Sequence, residues 1–122
     1  MSQAYDFLKD KTFYLATIDE GKPKLRPFGA IMELEDKLYF VTSKTKEVFK
    51  QITKNPNVCI CTCDDNRKWV RVEGTAIQYD STAVKQKMLD DNPVLLARKR
   101  YVDASDPSMA VFCIENMTVS FN

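Results

Sequence analysis

Short runs of β-branched and aromatic residues, each closed by a turn signal, constrain this chain more than any other feature. The run Thr12-Phe13-Tyr14-Leu15-Ala16-Thr17-Ile18 reads as a strand, and Asp19-Glu20-Gly21-Lys22-Pro23 as the turn after it. That turn feeds a second strand over residues 24–33, so the pair forms an antiparallel hairpin. Glu35-Asp36-Lys37 makes a tight connection into a third strand, Leu38-Tyr39-Phe40-Val41-Thr42. Further strands are expected over 57–63, 68–79 and 109–121, with Asp64-Asp65-Asn66 turning the chain between the first two of these.

Helical periodicity appears in only a few places. Residues 4–11 place Tyr5, Leu8 and Phe7 on one side of a short helix. Val48, Phe49 and Ile52 share a face of a longer one, with Ser43 or Thr45 as its expected N-cap and Asn55-Pro56 as its stop. Ser81 is positioned to cap a helix carrying Val84, Met88 and Leu89, which Asn92-Pro93 breaks ahead of a basic stretch through Arg98-Lys99-Arg100. Six strands with a helix between the third and fourth predict a mainly β domain, a closed or nearly closed antiparallel barrel. At 122 residues the chain fits one domain, residues 1–122.

The three thiols of Val58-Cys59-Ile60-Cys61-Thr62-Cys63 fall on one strand face, since residues two apart point the same way. Sulfurs so placed lie roughly 6 to 7 Å apart along the strand. That spacing suits neither a disulfide nor chelation of one zinc, so the thiols are expected to be reduced, partly buried small hydrophobes. No metal site is expected. Eighteen basic and seventeen acidic residues give a net charge of +1, which argues against a general nucleic-acid binder. Apolar runs such as Val94-Leu95-Leu96-Ala97 are far too short to span a bilayer, and no signal peptide is read at Met1-Ser2-Gln3-Ala4-Tyr5-Asp6. A cytoplasmic protein is expected.

The chain has no histidine, no serine-based triad and no carboxylates at metal spacing, so its chemistry would have to come from a bound molecule. Three stretches offer what a phosphorylated aromatic cofactor needs: Arg26-Pro27-Phe28-Gly29, Thr42-Ser43-Lys44-Thr45-Lys46 and Trp69-Val70-Arg71-Val72-Glu73-Gly74. The second lies where a strand runs into a helix N-terminus, a natural anion site, although a solvated lysine-rich helix start has the same sequence. Arg26 could pair with a phosphate across an adjacent strand; an edge strand with a bulge is the plainer reading of Arg26-Pro27. Trp69 could line a pocket or simply pack in a core or interface.

The order and spacing of these stretches resemble the pyridoxamine 5'-phosphate oxidase-like family of FMN-binding split-barrel proteins, most clearly over residues 5–80. The resemblance implies a six-stranded Greek-key split barrel with flanking short helices, and a homodimer with FMN at the subunit interface. It also implies that Arg26 and Lys46 hold the FMN phosphate, that Lys44 and Thr45 support it, and that Thr42 and Ser43 contact the flavin or ribityl chain. The backbone of Pro27 and Phe28 would run beside the ring, and Trp69 occupies a position from which the family reaches the flavin.

The chain departs from the family's namesakes in two respects. Those oxidases close their substrate site with a C-terminal segment carrying arginine and histidine, and this chain has no histidine. Ile31 stands near where they place a substrate-binding lysine. Oxidation of pyridoxamine phosphate is therefore not expected, and a flavin-dependent oxidoreductase acting on another small molecule is. The alternative is a non-catalytic dimeric module binding flavin or another ligand such as a deazaflavin or haem, the last disfavoured by the missing histidine.

Overall fold

A computed structural model describes residues 2–122. A short helix α1 (Gln3–Leu8) is followed by strands β1 (Phe13–Asp19), β2 (Lys22–Phe28), β3 (Ile31–Leu34) and β4 (Lys37–Ser43). Helix α2 (Glu47–Lys54) leads to β5 (Asn57–Cys63) and β6 (Trp69–Gln78). Helices α3 (Thr82–Asp91) and α4 (Val94–Ala97) then precede the long β7 (Met109–Phe121). No described helix is long and apolar enough to cross a membrane.

All seven strands join one antiparallel sheet in the order β2-β1-β5-β6-β7-β4-β3. The mainly β architecture matches expectation, with seven strands in place of six. The single strand expected over 24–33 is broken at Gly29-Ala30: β2 pairs with β1, whereas β3 pairs with β4 at the opposite end of the sheet. Two residues therefore tie the two sheet edges together, which curls the sheet on itself. Pro27 brings no ladder N–H to the end of β2, so the chain leaves that edge cheaply.

Both hairpins use two-residue loops with left-handed residues, Glu20 and Gly21 between β1 and β2, and Glu35 and Asp36 between β3 and β4. That turn form matches the right-handed twist of the flanking strands. Alternation sorts the strand residues into two cores. Leu15, Phe40, Ile60, Val72, Phe112 and Ile114 point inside the curled sheet, where α1 and α2 add Leu8, Val48 and Ile52. Phe13, Phe28, Phe40 and Phe112 form a chain of ring contacts at 5.5–6.0 Å between centroids, bridging from β1 and β2 to β4 and β7.

On the outer side of β3, β4 and β7, Met32, Tyr39, Val41, Met109 and Val111 are covered by Met88, Leu89, Leu95 and Tyr101. Asn92 fastens this second layer, donating to the Ile31 carbonyl at 2.9 Å and to Met88 at the end of its own helix. Ser81 caps α3 as expected, accepting from the Val84 N–H. The α2 cap differs: Lys46 occupies the N-cap position and makes no side-chain cap bond. Ser43 and Thr45 are spent on each other, their hydroxyls 2.8 Å apart in the turn ahead of the helix.

Gly74 meets a strict steric demand. A Cβ there would lie 2.6 Å from both the Glu115 carbonyl oxygen and Ile114 Cγ2. The β6–β7 register shifts at this point, and Asn116 adopts a left-handed φ of 54° beside it.

Candidate functional site

The end of β2, the end of β4 and the α4 layer enclose a cavity of about 190 Å³, open on one side. Pro27, Phe28, Gly29 and Ala30 line one wall, where the chain crosses from one sheet edge to the other. Val41 and Thr42 form the floor, and Leu95 and Tyr101 the roof. Gly29 leaves space: a Cβ built on it would touch nothing within 4 Å. Three cations, Lys46, Arg98 and Arg100, complete the lining. Among the described residues none of them forms an ion pair with a carboxylate.

Beside this cavity, Arg26 is held in a fixed pose. It donates to the Leu15 carbonyl at 3.1 Å and to Gln51 Oε1 at 2.8 Å. The same Gln51 oxygen accepts from the buried Thr17 hydroxyl at 2.6 Å. Burial lowers the pKa of Arg26 from its ordinary value, yet a guanidinium stays charged, and it carries five N–H groups of which two are used here. Gln51 and Thr17 thus position this arginine between β2 and α2. The uncapped start of α2 leaves early backbone N–H groups for an outside acceptor.

The nine residues singled out in the sequence fall into three groups. Pro27, Phe28, Thr42 and Lys46 line the cavity. Arg26, Ser43 and Thr45 lie next to lining residues in the chain but outside the lining itself. Lys44 turns to Asp80, 3.6 Å away, and its backbone N–H donates to Ser108. Trp69 lies on the outer face of β6 opposite Cys63, with the Arg71 guanidinium 5.4 Å from its ring centre. It does not line the cavity of its own chain.

Sequence reasoning missed Arg98, Arg100, Tyr101 and Gln51. Lys99 adopts a left-handed φ of 55°, and the N–H groups of Lys99 and Arg100 bond back to Leu96 and Leu95. This is a Schellman stop, usually built with glycine, so the conformation of the basic run was hidden behind a lysine. The ring of Tyr101 is buried, which pushes its hydroxyl pKa up to about 12.

The thiols of Cys59, Cys61 and Cys63 share the outer face of β5, and all four cysteines are free. Burial raises the pKa of Cys59 and Cys61, keeping them as thiols. Cys63 is exposed rather than partly buried because it ends its strand. No cluster of His, Cys, Asp or Glu suited to a metal ion occurs among the described residues.

The family model described as Pyridoxamine 5'-phosphate oxidase matches residues 2–122. The chain belongs to that family. Among solved structures, a NimC/NimA family protein from Clostridium acetobutylicum is 35% identical, with a TM-score of 0.89 over 98% of this chain and 85% of its own. General Stress Protein 26 from Bacillus anthracis shares the fold at 23% identity and a TM-score of 0.81, covering 97% of this chain and 89% of its own. An F420 reductase shares it at 17% identity and a TM-score of 0.75, covering 98% of each chain. No curated protein matches the chain significantly.

Proposed function

We propose that this family member is a flavin-dependent oxidoreductase that holds FMN in the cavity under α4, between two copies of the chain. One observation carries the reading: within a single cavity the lining changes from flat and apolar at Pro27, Phe28 and Ala30 to cationic at Lys46. Such a gradient suits a planar ring with a phosphate at the far end. Lys46, the uncapped start of α2 and the neighbouring Arg26 would hold the phosphate, with Thr42 donating near the ring or ribityl chain. Bound FMN supplies the electron-transfer chemistry that this histidine-free chain lacks. The protein's part is to position the ring, exclude water from one face and neutralise charge.

A second copy is supported by the outer face of β1, β2 and β5. Tyr14 and Leu25 are 47% and 66% exposed there, beside Pro23 and Cys61, so large apolar side chains cluster on one open sheet face. Pro27 belongs to both this face and the cavity wall, so a copy seated on the face would lie next to the cavity. The free thiols suit the cytoplasm, where they stay reduced.

The test is the absorption spectrum of the purified protein with its sedimentation mass. Flavin bands near one FMN per chain in a dimer are expected. Arg26→Ala with Lys46→Ala should weaken FMN binding at least tenfold. A colourless monomer that ignores added FMN overturns the reading, and retention of a deazaflavin would replace the cofactor.

A further inference from the structure

The cavity holds more positive charge than one phosphate at Lys46 requires. Arg98 and Arg100 line it as well, carried on the stop of α4, and neither forms an ion pair with a carboxylate among the described residues. Two like charges two residues apart normally splay into solvent. Here the left-handed Lys99 lets Arg98 and Arg100 both line the same cavity, while Lys99 lines only a neighbouring surface hollow that Arg100, Tyr101 and Asp106 also border.

The segment is fixed from both sides. Leu95, Tyr101 and Ala104 are buried in the outer core, and Asp106 ties the following loop by accepting from the N–H groups of Val102 and Ser108. These bonds hold the Asp106 carboxyl below its usual range, so it stays ionised and committed to the loop. Tyr101 lines the same cavity and brings a phenol to it, its ring packed in the outer core. A guanidinium pair and a phenol on a pre-ordered segment form a recognition surface for a planar anion.

We propose that Arg98 and Arg100 select the substrate: the molecule that meets the flavin carries a carboxylate or similar anion, held at the α4 end of the cavity. This rests on the cofactor reading above and adds the chemical class of the reacting partner. The arginines are specificity-determining residues, and the chemistry stays with the flavin.

Benzoate and its neutral isostere benzamide are suitable probes, titrated into FMN-loaded protein by flavin difference absorbance. Wild type should bind benzoate at least tenfold more tightly than benzamide. Arg98→Ala with Arg100→Ala should erase that preference while FMN affinity stays within about twofold, and the lysine pair should restore part of it. Equal binding of the two probes by wild type, or an unchanged preference in the double variant, overturns the proposal. A tenfold loss of FMN affinity in the double variant also overturns it, by assigning the arginines to the cofactor phosphate. If wild type takes up no FMN, the cofactor reading falls separately. Calorimetric titration of benzoate into the unloaded chain then decides the arginine proposal: binding to wild type but not to the double variant upholds it, and any other pattern refutes it.

Discussion

Replacing Gly74 with alanine tests whether the β6–β7 seam is as closely fitted as its geometry requires. The new Cβ would sit 2.6 Å from a backbone oxygen of Glu115 and 2.6 Å from Ile114 Cγ2, about 0.8 Å inside the onset of ordinary contact. Neither neighbour yields easily. Ile114 is fully buried, and Glu115 is paired with Thr75 beside the register shift. Overpacking of this kind costs about 1–3 kcal/mol, and a backbone neighbour argues for the upper half. Alanine also removes freedom from the unfolded chain, which offsets about 0.4–1 kcal/mol. A net loss of about 1–2.5 kcal/mol follows, or a melting point lower by about 4–10 °C in a domain of this size. Urea unfolding read by the fluorescence of Trp69, at one fixed protein concentration, measures it. Gly29→Ala is the internal control. Its Cβ meets nothing within 4 Å, so stability should hold or rise by up to about 1 kcal/mol. A Gly74 variant as stable as wild type would refute the steric argument.

Gln51→Leu removes the acceptor shared by Thr17 and Arg26, leaving a buried hydroxyl unpaired at a cost of about 1–3 kcal/mol. FMN affinity should fall with stability, and Gln51→Glu, which keeps an acceptor, should recover both. Unchanged fluorescence titrations would show that this pair does not position Arg26. Tyr101→Phe should change stability little near neutral pH, since the ring keeps its packing in the outer core. Tyr101 has its folded pKa raised from 10 to about 12, so its contribution is fully present below pH 10 and lost as pH climbs through 12. The variant should therefore lose stability less steeply than wild type between pH 10 and 12, and parallel urea midpoints across that window would contradict it.

Most of the fold was legible because its signals are local. Asn57–Cys63 was read with both ends correct, since alternation and the Asn55-Pro56 stop need no distant neighbours. The break at Gly29-Ala30 was not, because residues on both sides keep strand character and only their partners differ. Nothing in a local window shows that Phe28 pairs beside Phe13 while Ile31 pairs beside Phe40. The same limit explains the N-cap of α2. Ser43 and Thr45 have cap chemistry, but they satisfy each other first.

The cavity was half legible for a related reason. Pro27, Phe28, Thr42 and Lys46 stood out because prolines, hydroxyls and lysines at strand ends carry chemical meaning on their own. Arg98 and Arg100 look like solvated surface in sequence, and in isolation their exposure supports that view. They gain meaning only from Lys99, whose left-handed backbone folds the run back over residues some seventy positions earlier. Trp69 presents the converse case. Its sequence context pointed to the cofactor, yet its own chain places it on an outer face away from the cavity. On the proposed dimer, a tryptophan on that face can reach a flavin only from the neighbouring copy, so the two halves of the site depend on each other. Substituting Trp69 should then weaken FMN binding without altering the cavity of its own chain, a separation that no single-chain site would produce.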